Sequence, residues 1–466
     1  MQIPPVLHLV FTILLGFVYG AHSLAAEFRA GVAVVDITPP KGYRMSGYFN
    51  ERLNTGVKDP LSAKAIVFRQ GETKAAIVVC DLIGMTAEVT NRARKLASEK
   101  TGIPADNIAI TATHSHTGPL YFGGLREYFH RRAVEKHGRD PQEESPYAET
   151  LEAKLVEVIA KAHETAAAVR MDAGIAEENR LSFNRRFHMK DGSVRFNPGQ
   201  QNPDIVRVAG PIDPDVGLVR FRTAAAEKDL AALVVFAMHL DTTGGTEYSA
   251  DYPFYLQREL RKSLGPDFVS IFGAGTCGDI NHVDVRIKGR RSTEEMGTML
   301  AETVIAHLPK LVEVKEPSLA VRRAVVDAPL QNYTPEETAR ARGRMAKIGS
   351  REMSFLDQVE TAKIFDLALR KDDSIPLEVQ AFRLSPEVAI VTLPAEVFVE
   401  LGLAIKRASP FKTTLVIELA NDDPAYIPTK KAFAEGSYET VNSRVVPGSG
   451  ERMVEAAVKL LKELAE

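Results

Sequence analysis

An alternation of short apolar runs with helical patterns constrains this chain more than any other feature. Apolar runs at 31–37, 63–68, 75–79, 108–113, 217–222, 231–238, 268–272, 379–384, 389–393 and 414–419 are interleaved with helical patterns. The helical patterns lie near 87–100, 148–168, 253–264, 293–307, 335–346 and 451–464. Several runs, AAIVVC and ALVVFAM among them, are continuously apolar. A strand with one wet face alternates polar and apolar residues, whereas a continuous run needs cover on both faces. The expectation is an α/β protein with mixed, buried sheets covered by helices. One helix start is well marked. Thr334-Pro335-Glu336-Glu337 puts Thr at the N-cap, Pro at the first helical position and Glu at the third. The charged helical stretch at about 331–372 reads as an insertion packed on the outside.

Length and composition narrow the class. The chain has 466 residues, 45% hydrophobic and 26% charged, which excludes a disordered chain, a collagen-like fibre and a polytopic membrane protein. With 58 Lys and Arg against 61 Asp and Glu, the net charge is −3, so no nucleic-acid partner is expected. No repeat, low-complexity tract or linker divides residues 26–466, which read as one large domain. Its length can bury a core without a staple. Cys80 and Cys277 end apolar runs and read as buried free thiols. Residues 1–25 form a separate object. The apolar run at 10–20 is too short to span a bilayer, and Ser23 and Ala25 are small residues before a cut after Ala25. The segment reads as an export signal leading to the periplasm or beyond, with an uncleaved membrane anchor as the alternative because no Lys or Arg precedes it. Without tryptophan or a basic amphipathic surface helix, the sequence offers at most transient contact with a membrane surface.

The strongest chemical signal is ATHSHTGP, a strand running into His114 and His116. Side chains alternate along a strand, so the spacing predicts that both rings point to one face, as a metal ligand with a proton-handling neighbour. Two surface histidines at a loop entrance would give the same letters. His239 ends the run ALVVFAM, where α/β folds place their sites, although a hydrogen-bonded core histidine is the plainer reading. The segment FGAGTCGDINH is a strand, a glycine-rich turn and a polar cluster with Asp279 and Asn281. Its glycines allow close backbone approach, and no Gly-Lys-Ser/Thr follows to make a phosphate loop. Glu396, taken alone, is a helix N-terminal acid. Tyr426 and Tyr438, taken alone, are packing residues. The chain lacks a Gly-x-Ser-x-Gly elbow and a His-Glu-x-x-His motif, which disfavours α/β-hydrolase esterases and the commonest zinc peptidases.

Together, these segments resemble the neutral/alkaline, non-lysosomal ceramidase family, in order and in motif, over residues 28–465. VAVVDITPP resembles the family's entry strand, and ATHSHTGP its Ala-Thr-His-Thr/Ser-His-Ser/Thr-Gly-Pro signature. SFNRRF, AMHL, SADYP, LPAE and AYIPTKKAFAEGSYE resemble shorter family segments in the same order. The resemblance implies one catalytic zinc per chain, with His114, His239, Glu396 and Tyr426 as ligands. It implies that His116 polarises the substrate carbonyl or moves a proton. It places Arg185 and Tyr438 against the tetrahedral intermediate and Asp279 in the site. The implied reaction is hydrolysis of the N-acyl amide of ceramide, or of a related N-acylated lipid, by zinc-bound water. A smaller N-acyl substrate is the first alternative. A non-catalytic exported binding protein on the same fold is the second.

Two departures bear on this expectation. The family's Asn-x-Gly-Asp-Val-Ser-Pro-Asn segment stands here as TCGDINHV, with Asn281 at the serine position, so a serine nucleophile there is excluded and a water nucleophile is not. The chain ends at Glu466, where full-length ceramidases are expected to continue into an immunoglobulin-like domain.

Overall fold

The computed structural model describes residues 26–466. The expected export segment, 1–25, lies outside the described residues. Two sheets form the centre of the molecule. The larger contains β1 (Arg29–Asp36), β2 (Ser62–Gln70), β3 (Thr73–Cys80), β4 (Ile108–Ala112), β5 (Ala167–Glu177), β6 (Asp215–Thr223), β7 (Asp229–Phe236) and β8 (Val269–Ala274). Their spatial order is β8-β7-β6-β5-β1-β2-β3-β4, and a two-residue strand, Val312–Glu313, adds to β5. The smaller sheet is β9 (Ala320–Pro329), β10 (Ser374–Ser385), β11 (Val388–Thr392) and β12 (Thr413–Ile417), in that order. Pairing is antiparallel except at β3–β4, β7–β8 and β11–β12.

The sheets pack face to face, and helices cover both outer faces. The alternation in β2 shows how the sequence achieves this. Ala63, Ala65 and Val67 join a core with α1 (Ala87–Thr101) and the later helix Tyr147–Glu164, while Ile66 and Phe68 point the other way, into a core shared with Phe382, Ile390, Leu415 and Ile417. The other half of the large sheet is covered by Tyr252–Leu264 and Thr293–His307. The far side of the small sheet is covered by Val399–Ala408 and the C-terminal helix Ser449–Ala465. With both faces of each sheet dry, continuous apolar strands follow.

All ten apolar runs are strands, with ends shifted by a few residues. Two of the strands β1–β12 were not legible. β5 carries Arg170 and Asp172, and Asp172 is satisfied across the sheet by Arg222 at 2.8 and 2.9 Å. The expected helix at 148–168 therefore stops at Glu164, and the chain turns back into β5. β9 is an edge strand on which Arg322 is exposed and Arg323 donates to Glu378 of β10 at 3.0 Å. Cys80 and Cys277 are buried and unpaired. The helices Pro335–Arg344 and Phe355–Leu367 do form within 331–372, the first with the expected capping box. They are not confined to the outside, because Ala362 and Asp366 line the same cleft as His114 and His116. Among the described residues no helix is long and apolar enough to cross a membrane.

Candidate metal centre

Five chain segments meet at the carboxyl ends of β4 and β7. β4 stops at Ala112, so strand alternation does not bring His114 and His116 together. His114 adopts a left-handed backbone, φ 75°, and the segment is pinned on both sides. The His114 N–H donates to Leu82 O at 2.9 Å and the His116 N–H to Leu240 O at 3.1 Å. That second bond ties the loop to the segment that carries His239, just past β7. Glu396 is not in a helical first turn. It sits in a short parallel bridge, Glu396–Val397 with Tyr426–Ile427, before the helix begins at Val399. That bridge brings Glu396 and Tyr426 side by side.

The three rings converge through their Nε2 atoms. His114 Nε2 is 3.2 Å from His239 Nε2 and 3.2 Å from His116 Nε2. Glu396 Oε2 is 3.2 Å from His114 Nε2 and 3.4 Å from His239 Nε2. Each Nδ1 faces a backbone carbonyl: Ile83 O at 2.7 Å for His114, Gly47 O at 3.1 Å for His116 and Cys277 O at 2.9 Å for His239. A carbonyl only accepts, so each Nδ1 carries the proton and each Nε2 presents a lone pair. Three lone pairs and a carboxylate facing one another repel unless a proton or a cation sits among them. Glu396 Oε2 is buried and receives no well-directed hydrogen bond. This donor set suits zinc, which takes imidazole nitrogen and carboxylate oxygen. The three histidines form a group of metal-ligand spacing, their ligand atoms all within 4.8 Å of one another.

The electrostatics follow from burial and from the carboxylate. Burial favours the neutral ring at His114, but the adjacent Glu396 carboxylate outweighs it and lifts the pKa to about 9. Burial, with the charge on His114, lowers His116 to about 3. Burial, with Arg185 and His114, lowers His239 to about 4. Burial opposes the charge on Glu396, yet His114 and His239 hold its carboxyl well below the usual range. Without a cation the cluster therefore holds one proton, on His114.

Further polar groups extend from Tyr426. Arg185 donates from Nη2 to Tyr426 OH at 3.1 Å and to Gly278 O at 2.7 Å, and from Nε to Glu439 Oε1 at 2.8 Å. Glu439 is fully buried and supplies the charge opposite Arg185. Tyr438 OH receives Asn442 Nδ2 at 3.3 Å and Tyr426 OH at 3.5 Å. Burial pushes Tyr438 up to about 12. Asp279 does not face the cleft. Its Oδ1 accepts from Val399 N at 2.9 Å, at the start of a helix, and its Oδ2 accepts from Asn184 Nδ2 at 2.7 Å. Both oxygens anchor the glycine-rich loop, so Asp279 is a positioning residue rather than a catalytic one. Asn281 is likewise engaged, donating to Asn197 Oδ1 at 2.9 Å and accepting from Val283 N at 2.9 Å. Gly278 is needed for close approach, because a Cβ there would lie 2.7 Å from Glu396 O. Sequence reasoning missed Glu439 and Asn442. The only local signal was their place beside Tyr438.

His114, His116, Glu396, Tyr426 and Tyr438 line one cleft with a cavity of about 200 Å³. Phe49, Leu120, Phe122 and Leu125 give it an apolar side, and Phe355 packs on Tyr438 at 5.2 Å between ring centres.

Known proteins resemble this chain in sequence and in fold. A sequence model described as neutral/alkaline non-lysosomal ceramidase, N-terminal, matches residues 28–281. The fold is similar to the crystal structure of neutral ceramidase from Pseudomonas aeruginosa, with a TM-score of 0.70 and 19% identity over 94% of this chain and 75% of that one. A structure described as ceramidase complexed with C2 is similar at a TM-score of 0.69 and 18% identity, with the same coverage. No curated protein sequence matches the chain.

Proposed function

Because this chain belongs to the neutral/alkaline non-lysosomal ceramidase family, we propose that it is a zinc-dependent amidohydrolase acting on the N-acyl bond of ceramide or a related N-acylated lipid. The observation that carries the reading is the convergence of three Nε2 lone pairs and the Glu396 carboxylate at the floor of the cleft. His114, His239 and Glu396 would hold the metal, with Tyr426 beside Glu396 as the fourth ligand. Glu396 leans on His114 and His239 and not on His116, which separates two ligand histidines from a third with another task. Zinc held there supplies a Lewis acid and a water acidic enough to attack near neutral pH.

The chain's own groups do the rest. Gly47 O fixes the His116 ring, so its Nε2 can accept a proton and return it to the leaving amine. The oxygen of Tyr438 already receives two hydrogen bonds, so its own O–H is left to donate to a developing oxyanion. One such donor is commonly worth about 3 kcal/mol of transition-state stabilisation. Arg185 orients Tyr426, and Glu439 neutralises Arg185 so that this charge can be buried.

The test is to load the chain from Ala26 onward with zinc, supply a short-chain ceramide and measure fatty-acid release with and without a chelator. Chelator-sensitive release supports the reading. A protein that holds about one zinc and releases no fatty acid overturns the ceramide substrate. A second reading, a smaller N-acyl amide, is favoured by the cavity of about 200 Å³. Sites for drug-sized ligands usually run from about 300 to 1,000 Å³.

A further inference from the structure

The cleft is apolar on one side and cationic at one end. Arg370 and Arg444 both line it, and neither is used by the reaction described above. They share a single carboxylate. Asp366 accepts Gly124 N on Oδ1 at 2.9 Å, and its Oδ2 stands 3.3 Å from Arg444 Nε and 3.8 Å from Arg370 Nε. Arg444 Nη1 is held by Asn442 O at 2.6 Å and Asn442 Oδ1 at 2.7 Å, which leaves Nη2 without a partner among the described residues. The Arg370 guanidinium makes no hydrogen bond to the described residues. The other acids of the cleft are committed elsewhere. Glu396 faces the histidines, and Asp423 accepts from Ala425 N at 3.0 Å. Several N–H donors, on the Arg370 guanidinium and on Arg444 Nη2, are therefore left over. They sit close to the reaction centre, since the Asn442 that holds Arg444 also donates to Tyr438 OH at 3.3 Å.

We propose that Arg370 and Arg444 form a carboxylate subsite, and that the preferred substrate is an N-acyl amine bearing a carboxylate, of the N-acyl amino acid class. A guanidinium fork matches a planar carboxylate, whereas the head of a ceramide is an uncharged diol that gives these cations nothing to bind. The acyl chain would lie along Phe49, Leu120, Phe122 and Leu125, and the cavity of about 200 Å³ suits one short chain. The inference rests on the amide hydrolysis proposed above, and two arms separate their failures.

In the first arm the zinc-loaded protein is given N-octanoylglycine and N-octanoylethanolamine, which differ mainly by the carboxylate. The expected kcat/KM ratio favours the glycine amide, and Arg370→Gln lowers that ratio about 10-fold or more, mainly through KM, as loss of a charge-assisted hydrogen bond should. Arg370 is exposed and unbonded, so this variant keeps the fold. Equal kcat/KM values for the two amides, or a ratio unmoved by Arg370→Gln, overturn the inference. In the second arm N-octanoylglycine binding is measured by calorimetry, with no turnover needed. Binding that Arg370→Gln weakens about 10-fold supports the subsite even where neither amide is cleaved, while the hydrolase reading stands or falls separately on fatty-acid release from the short-chain ceramide. Absence of binding overturns the subsite.

Discussion

Uptake of a divalent cation by the histidine cluster should expel one proton at neutral pH. The cation-free cluster keeps that proton on His114, whose pKa stands at about 9 because Glu396 outweighs burial. His116 and His239, held at about 3 and 4, carry none. At pH 7 a metal must displace the His114 proton against about two pH units, which costs about 3 kcal/mol. The sign follows directly. Below pH 9 the apparent dissociation constant for zinc falls about tenfold per pH unit, so it drops about 100-fold from pH 6 to pH 8, then levels above pH 9. Calorimetry at pH 7 in two buffers of different ionisation enthalpy reads the proton count, and competition with a chromophoric chelator reads the affinity at each pH. A count near one, with that slope, is expected. Burial holds the Tyr426 hydroxyl well above its usual pKa, so a count near two would assign ligation by its phenolate. A count of zero, or an affinity independent of pH between 6 and 8, refutes the reasoning, because the cluster would then carry no proton to lose.

The remaining predictions concern what surrounds the cluster. Glu439→Gln removes the buried charge opposite Arg185 and should cost about 3–5 kcal/mol, read as a lowered midpoint in urea; an unchanged midpoint would show that Arg186, 3.5 Å from Glu439 Oε2, does not need it either. Gly278→Ala pushes a methyl into Glu396 O, so zinc per chain should fall well below one while far-UV circular dichroism stays native; full occupancy sinks the close-approach argument. N-terminal sequencing of the protein recovered from an exporting host should begin at Ala26, and a start at Met1 on membrane-bound protein would favour the anchor instead.

What the sequence exposed and what it hid follow from where each group finds its partner. The strands buried on both faces announce themselves, since two dry faces leave no position for a polar residue. β5 and β9 do not, because Asp172 is satisfied by Arg222 on a neighbouring strand, Arg323 by Glu378 on another, and Arg322 is exposed. At the site, the spacing of His114 and His116 pointed to the right pair for the wrong reason. Their convergence comes from a left-handed residue beyond the strand end, and no letter at position 114 signals φ 75°. The tautomer of every ring is set by a backbone carbonyl, of Ile83, Gly47 or Cys277, and such partners have no residue type to recognise. Glu439 was invisible for a different reason, since its charge matters only against Arg185, 254 residues away in the chain. The family motifs named the groups that converge in the cleft. The groups that orient them, backbone carbonyls and distant counter-charges, are specified by the fold. Arg370 and Arg444 belong to neither set: they line the cleft without touching the histidine cluster, so their effect on what the cleft accepts is separable from the metal centre.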